Sequence, residues 1–280
     1  MAAAGGLHTV LLRSDGAAVA CGSNAYGQCD IPALRGEGLA YTQASAGTEH
    51  SVLLRSDGAA CDVPALSGGP TYTQVAAGGR HTVLLRSDGA ATACGSNANG
   101  QCDVRALGGG VTYTQVAAGA EHTVLLRSDG AAAASGWNDC GQCDVPALSE
   151  DLIYTQVAAG RRHSVLLRSD GAATACGSNS YGQCDIPILS GDTTYTQVAV
   201  GYEHTVLLRC DGTVTACGAA ADVGWNFPEV CVVPALDAGL TYTQAWGDKM
   251  VPMMLLLSRA CPLQGDFRRK IRNAPTLVKQ

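Results

Sequence analysis

Six histidines stand at positions 8, 50, 81, 122, 163 and 204 of a 280-residue chain that also carries thirteen cysteines. Imidazole and thiolate are the ligands of zinc and related metals, and both serve as nucleophiles or proton carriers near neutral pH. Cys140 and Cys143 form a C-x-x-C pair, the spacing of a redox dithiol. Ser, His and Asp recur together along the chain, so the atoms of a nucleophile–base–orienter triad are present many times over.

Spacing assigns these residues elsewhere. The histidine intervals are 42, 31, 41, 41 and 41. The short interval has a visible cause: the third stretch reads SDGAATACGSNANGQCDV where the second reads SDGAACDV, ten residues fewer. A fixed period near 41 marks a repeated supersecondary unit. A residue present at the same place in every unit is expected to maintain the unit, and zinc ligands must converge on one point rather than spread around a repeat. The cysteines sort the same way. Cys29, Cys61, Cys102, Cys143, Cys184 and Cys231 share one repeat position, and Cys21, Cys94, Cys176 and Cys217 share another. Only Cys140, Cys210 and Cys261 stand apart, and the C-x-x-C arises because a loop position is Cys. No unit gives its Ser, His and Asp a distinctive nucleophile context. The reading is therefore noncatalytic, with no metal and no cofactor.

The elements that hold these residues follow from one unit, Tyr72 to Thr112. YTQVAA, HTVLLR and ATACG read as three antiparallel strands, with Asp88-Gly89 turning the chain between the second and third. The link that follows, CDVRAL here and CDVPAL in the neighbouring units, reads as extended, and the proline of those neighbours limits it to at most a short fourth edge. In the middle strand Val83 and Leu85 point to one face and Thr82 and Leu84 to the other, so the sheet must be covered on both sides. Stacking copies of the same sheet radially achieves this. The expected fold is all-β, a β-propeller of six to seven short three- to four-stranded blades, one of them truncated. Residues 1–258 are read as the propeller and 259–280 as a basic tail. The first unit lacks a YTQ strand, and Tyr242-Thr243-Gln244 either completes that unit or opens a seventh.

Composition agrees. Hydrophobic residues make up 46% and charged residues 15%, which excludes a disordered chain and a long coiled coil. The formal net charge is −6, with positive charge gathered at Arg268, Arg269, Lys270 and Arg272. An acidic body disfavours general nucleic-acid binding, which needs clustered Lys and Arg. No apolar run is long enough to span a membrane as a helix, and no signal peptide is recognised, so a cytoplasmic or nuclear location with reduced thiols is expected.

The unit resembles the regulator of chromosome condensation repeat family, on Ala76-Ala77-Gly78, His81-Thr82, Asp88-Gly89, Cys94-Gly95, Asn97 and Gly100-Gln101. Its short length is similar to the branch containing the bacterial seven-bladed β-lactamase inhibitor protein. Cys stands where the family has Trp before Gly. The resemblance implies a rigid surface for a protein partner, identity unknown. The alternatives it brings are a regulatory component resembling a Ran-type guanine nucleotide exchange factor, acting on a small GTPase, or the substrate-binding propeller of a ubiquitin ligase. The family's light sensors use clustered tryptophans, whereas Trp137, Trp225 and Trp246 occupy unlike positions.

Contact residues are sought where units differ. The pair before each histidine varies, giving Glu49, Arg80, Glu121, Arg161, Arg162, Tyr202 and Glu203 as candidate partner-binding positions. The Asn-x-x-Gly turn also varies and adds Tyr26 and Tyr181. Both sets are placed on strand-to-strand loops, where recognition usually sits on rigid scaffolds.

Overall fold

The computed structural model describes residues 2–218, apart from 62, 64, 65, 67, 68 and 150, together with the strands 240–246 and 254–259. Its described residues form strands and turns only, in five three-stranded and two two-stranded antiparallel sheets. The first sheet contains β1 (Ala2–Ala4), β2 (His8–Leu12) and β3 (Ala18–Gly22), and the second β4 (Tyr41–Ala46) and β5 (Ser51–Arg55). The third contains β6 (Tyr72–Ala77), β7 (His81–Arg86) and β8 (Ala91–Gly95), and the fourth β9 (Tyr113–Ala118), β10 (His122–Arg127) and β11 (Ala132–Gly136). The fifth contains β12 (Tyr154–Ala159), β13 (His163–Arg168) and β14 (Ala173–Gly177), and the sixth β15 (Tyr195–Val200), β16 (His204–Arg209) and β17 (Val214–Gly218). The seventh pairs β18 (Leu240–Trp246) with β19 (Met254–Arg259).

These sheets are the blades of a propeller. The first strands β1, β4, β6, β9, β12, β15 and β18 neighbour one another in that order and form the inner layer. Blades 2 to 6 bury both faces of their middle strands, whereas in blade 1 Leu11 is exposed. Leu84 joins Val52 and Leu54 of the preceding blade, while Val83 and Leu85 join Tyr113, Val116 and Leu125 of the following one. The alternation read from HTVLLR is thus the inter-blade core, and burying each Leu or Val contributes about 1.5–3 kcal/mol. The inner strand carries a bulge in blades 2 to 7, and none in blade 1. Tyr72 pairs with Arg86 and Gln74 with Leu85, so Thr73 is the extra residue and turns outward.

The Asp-Gly turn closes each hairpin as expected. Gly89 N–H donates to Arg86 O, and Arg86 N–H donates to Ala90 O. Gly89 sits at φ 76°, and the Asp88 carboxylate accepts from Ala90 N–H. The link after the third strand, CDVRAL in blade 3, adds no fourth strand among the described residues. Its Val104 and Leu107 pack instead against the apolar cluster between blades 3 and 4.

Two open points are settled by pairing. Ala2–Ala4 completes blade 1, so Tyr242-Thr243-Gln244 opens a seventh blade. There Tyr242 pairs with Leu257 as Tyr195 pairs with Arg209, one residue later than repeat spacing predicts. The truncated unit is blade 2, whose outer strand is reduced to the single bridge between Leu54 and Ala60. The basic segment beyond Arg259 lies outside the described residues.

Candidate functional site

The repeated polar residues are blade-to-blade fasteners. His122 Nε2 lies 2.9 Å from Ser164 Oγ in the next blade, and that hydroxyl donates to Gln142 O at 2.8 Å. His81 meets Thr123 at 3.0 Å, and His163 meets Thr205 at 3.1 Å. Thr123 and Thr205 donate in turn to Gln101 O and Gln183 O, both at 2.7 Å. A hydroxyl has one hydrogen, and here the carbonyl takes it. The imidazole therefore donates from Nε2, which fixes the neutral ring's tautomer. Burial holds the rings neutral, with His122 and His204 lowered to about 4 and His163 to about 3. The AAG motif has its reason here, because a Cβ on Gly119 would stand 2.2 Å from His122 Cε1. Each imidazole occupies its own interface, so no shared metal point is formed.

The Tyr-Thr-Gln triplets fasten the same interfaces nearer the axis. The Gln74 carboxamide oxygen accepts from Val116 N–H at 2.9 Å, and Gln115 and Gln156 repeat the bond one blade further on. Tyr113 and Tyr154 hydroxyls donate to Arg105 O and Pro146 O of the preceding link. The bulged Thr42, Thr73, Thr114, Thr155 and Thr196 line one mouth of the channel with glutamines, and alanines line a cavity of about 430 Å³ that runs on to Arg161 and Tyr202 at the pre-histidine rim. Arg161 is the one charged residue on those described walls.

The cysteines belong to the same packing. Cys102 and Cys184 thiols donate to Ser96 O and Ser178 O at 3.2 Å, and Cys176 donates to Gln142 O at 3.6 Å. Burial pushes Cys143 and Cys176 up to about 11 and Cys184 up to about 12, far from thiolate formation at neutral pH. Cys140 and Cys143 are not joined, and the Cys143 thiol points to Trp137 O.

The variable residues gather on one rim, where the pre-histidine pair of one blade meets the Asn-x-x-Gly turn of the blade before. Asn99 Nδ2 donates to Glu121 Oε2 at 2.8 Å. The Arg162 guanidinium lies 4.7 Å above the Trp137 ring, and Gln183 donates to Glu203 at 2.8 Å. The pre-histidine pairs also touch along the rim. Arg80 and Glu49 approach to 3.4 Å, as do Arg161 and Glu203, and Arg161 stacks over Tyr202 at 5.0 Å.

Exposure divides the candidates. Tyr26 is 71% exposed, Tyr181 is 48% exposed, and Arg80 and Glu121 are also open to solvent. Glu49, Arg161, Arg162 and Tyr202 are half-buried. Glu203 is 5% exposed, and burial raises its carboxyl above the ordinary range despite Arg161 beside it. It braces the rim from inside. Trp137 lies outside both variable loop pairs, while Asn99 belongs to the variable Asn-x-x-Gly turn. The available signal was that Trp137 stands where the first, third and fifth units have Ser between Gly and Asn.

Comparison with known proteins places this geometry. Prp20p from Saccharomyces cerevisiae is 19% identical with a TM-score of 0.72, over 89% of this chain and 80% of that one. Human WBSCR16 is 17% identical with a TM-score of 0.73, over 92% and 86%. The ectodomain of the Physcomitrella patens receptor kinase CR4 is 16% identical with a TM-score of 0.65, over 91% and 72%. At these identities the likeness is one of fold. No curated protein matches by sequence. The model of the regulator of chromosome condensation (RCC1) repeat matches residues 2–28, 72–101, 113–142, 154–183 and 195–220, about half of the chain, and the chain belongs to the RCC1 repeat family.

Proposed function

We propose that the chain is a noncatalytic propeller scaffold that binds a protein partner through the rim carrying Tyr26, Glu49, Arg80, Glu121, Arg161, Arg162, Tyr202 and Tyr181. The observation that carries this reading is the meeting of the two variable loops on one rim, as at Asn99 and Glu121. Everything beneath the rim repeats, so the rim is where one blade differs from the next. Exposed tyrosines on a rigid support are the anchors protein interfaces favour. The channel walls present no acid–base pair among the described residues, and the acidic composition suits a protein better than a nucleic acid. A cytoplasmic or nuclear location fits a chain whose described cysteines form no disulfide with one another. The test is affinity capture with the native chain and with Tyr26→Ala/Tyr181→Ala. A partner should be retained by the first and lost from the second. Finding none reproducibly, or equal capture by both, sinks the reading.

A second reading is a regulatory component acting on a small GTPase. Its support is the likeness to Prp20p, whose structure was described with its binding to Gsp1p and histones. A nucleotide-release assay with a Ran-type GTPase separates the two. Acceleration at micromolar protein favours the regulatory reading, and none leaves the scaffold. The substrate-binding propeller of a ubiquitin ligase is the remaining member of this class and predicts capture without altered nucleotide release.

A further inference from the structure

Blade 2 has lost the ten residues that correspond to Thr92–Gln101 of blade 3, and their absence leaves a shaped vacancy. In β5, Leu53 O accepts from Cys61 N–H on the outer side. By strand alternation Ser51 and Glu49 also direct their main-chain groups to that side. In blade 3 the equivalent Thr82 pairs with Cys94, and the equivalent Arg80 O accepts from Ser96 N–H at 2.8 Å. Among the described residues nothing fills those places on blade 2. The consequence shows in the histidines. His8, His81, His122, His163 and His204 are at most 4% exposed, whereas His50 is half-buried.

The neighbouring blade is affected too. Thr123, Ser164 and Thr205 each donate to the Gln carbonyl of the blade before, and Cys176 and Cys217 thiols point to the same kind of oxygen. For Thr82 and Cys94 that carbonyl would come from the deleted segment. The vacancy therefore combines an open strand edge with the Thr82 hydroxyl, which meets His50 Nε2 at 3.0 Å but lacks the carbonyl its counterparts bond, and with the half-buried Cys94 thiol beside it.

The intact blades specify what fits. Opposite the open edge they place Ala93-Cys94-Gly95, Ala134-Ser135-Gly136 and Ala175-Cys176-Gly177, two small residues and a glycine. The glycine is required twice over. Gly95 has φ 104°, and a Cβ there would lie 2.6 Å from Arg80 O, with Gly136 and Gly177 equally close to Glu121 O and Arg162 O.

We propose that blade 2 is completed in trans by an extended small-small-Gly segment of a partner protein, which adds to β5 as an outer strand and offers a main-chain carbonyl to Thr82 and Cys94. Strand addition of this kind takes affinity from main-chain bonds and selectivity from the pockets for alternate side chains. The proposal differs from the rim reading in using main-chain groups of the strand edge, Glu49 included, rather than the rim side chains.

The test uses a labelled peptide with the sequence of residues 90–101, titrated against the full chain by fluorescence anisotropy. Saturable binding is expected. It should weaken at least ~10-fold with the Gly95→Ala peptide and about 10-fold with a Thr82→Val chain, the size of one lost hydrogen bond. It should vanish in a chain carrying those ten residues after Ala60, which rebuilds blade 2. Binding should survive Tyr26→Ala/Tyr181→Ala, which keeps this result separate from the rim. The proposal fails if the natively folded chain does not bind, or if the glycine and alanine peptides bind alike. It fails equally if the rebuilt chain binds as well as the native one. A dimer in sedimentation that the rebuilt blade abolishes, without peptide binding, makes a second copy the occupant and also overturns it.

Discussion

His163 and Thr205 stand 42 residues apart in sequence and 3.1 Å apart in space, a bond that joins blade 5 to blade 6. The hydroxyl passes its hydrogen to Gln183 O, so one chain of two bonds ties a middle strand, its neighbour and the turn between blades. All three groups are buried. Replacing His163 with Ala leaves a cavity and removes one buried bond, and the expected loss is about 2–4 kcal/mol. Urea unfolding of His163→Ala should show a lower midpoint. The same change at half-buried His50, in the truncated blade, should cost clearly less. Equal losses at the two positions would show that the bolt is not what stabilises the ring.

The histidines also set a pH dependence. Burial lowers His122 and His204 to about 4 and His163 to about 3, whereas a free histidine titrates at about 6.5. Below that value the unfolded chain takes up protons that the folded rings refuse. Stability is therefore full above about pH 6.5 and falls as pH drops toward the folded values, by roughly 1 kcal/mol per pH unit for each ring. Glu203, whose carboxyl is raised by burial, works in the opposite sense but is a single group. Unfolding midpoints at pH 7.5 and 5.0 should differ, and His122→Gln should reduce the difference. A flat profile over that interval contradicts the assignment.

The repeat made most of the ring legible. The period located each middle strand, and the two-faced apolar pattern of HTVLLR identified stacked sheets as its covering. What spacing could not show was who the repeated residues touch. His122 and Ser164 occupy neighbouring repeat positions in different units, and only stacking reveals that they bond. Glu203 looked like its exposed counterpart Glu121, yet Gln183 and Arg161 draw it inside. Trp137 sits between the two variable loop pairs in sequence, and only the stacking of blades brings its ring under Arg162 of the next blade. The first strand escaped because Ala2–Ala4 carries no YTQ triplet; its pairing with Leu11, Val10 and Thr9 needs only main chain.

The rim divides into residues that recognise and residues that support. Tyr26 is 71% exposed, and Tyr26→Ala should change stability by less than about 0.5 kcal/mol while weakening partner capture. Glu203→Ala strips a buried partner from Gln183 and Arg161 and should cost about 1–3 kcal/mol. Thermal melts of the two variants should therefore separate by several degrees. Coincident melts would place Glu203 among the dispensable surface groups.

Glycine in the hairpins is a backbone requirement. Gly89 has φ 76°, and a Cβ there would sit 2.4 Å from Thr112 Cβ. Gly89→Ala combines a left-handed conformation with a clash and should cost about 2–4 kcal/mol. Gly38 has φ 72° but no atom within 4 Å of its added Cβ, so Gly38→Ala meets only the conformational penalty of about 1–2 kcal/mol. Denaturation of the two variants side by side isolates the packing contribution. If they lose the same amount, Thr112 moves aside freely.

The thiols should react in an order set by their surroundings. Cys210 and Cys21 are exposed, and hydrogen bonds from Thr194 lower Cys210 below the ordinary thiol value. Cys184 is pushed to about 12 by burial first and by the neighbouring Cys176 and Cys217 second, and its hydrogen is held by Ser178 O. Alkylation proceeds through the thiolate and needs access, so exposed Cys21 and exposed, lowered Cys210 should react ahead of Cys184, whose thiolate burial makes scarce. Brief iodoacetamide treatment of the native chain, read by peptide mass spectrometry, should modify Cys210 and Cys21 well before Cys143, Cys176 or Cys184. Unfolding in urea should erase that order. Early labelling of Cys184 in the native chain would mean that the junction between blades 5 and 6 opens readily, and the rigid support assumed for the rim would be lost with it.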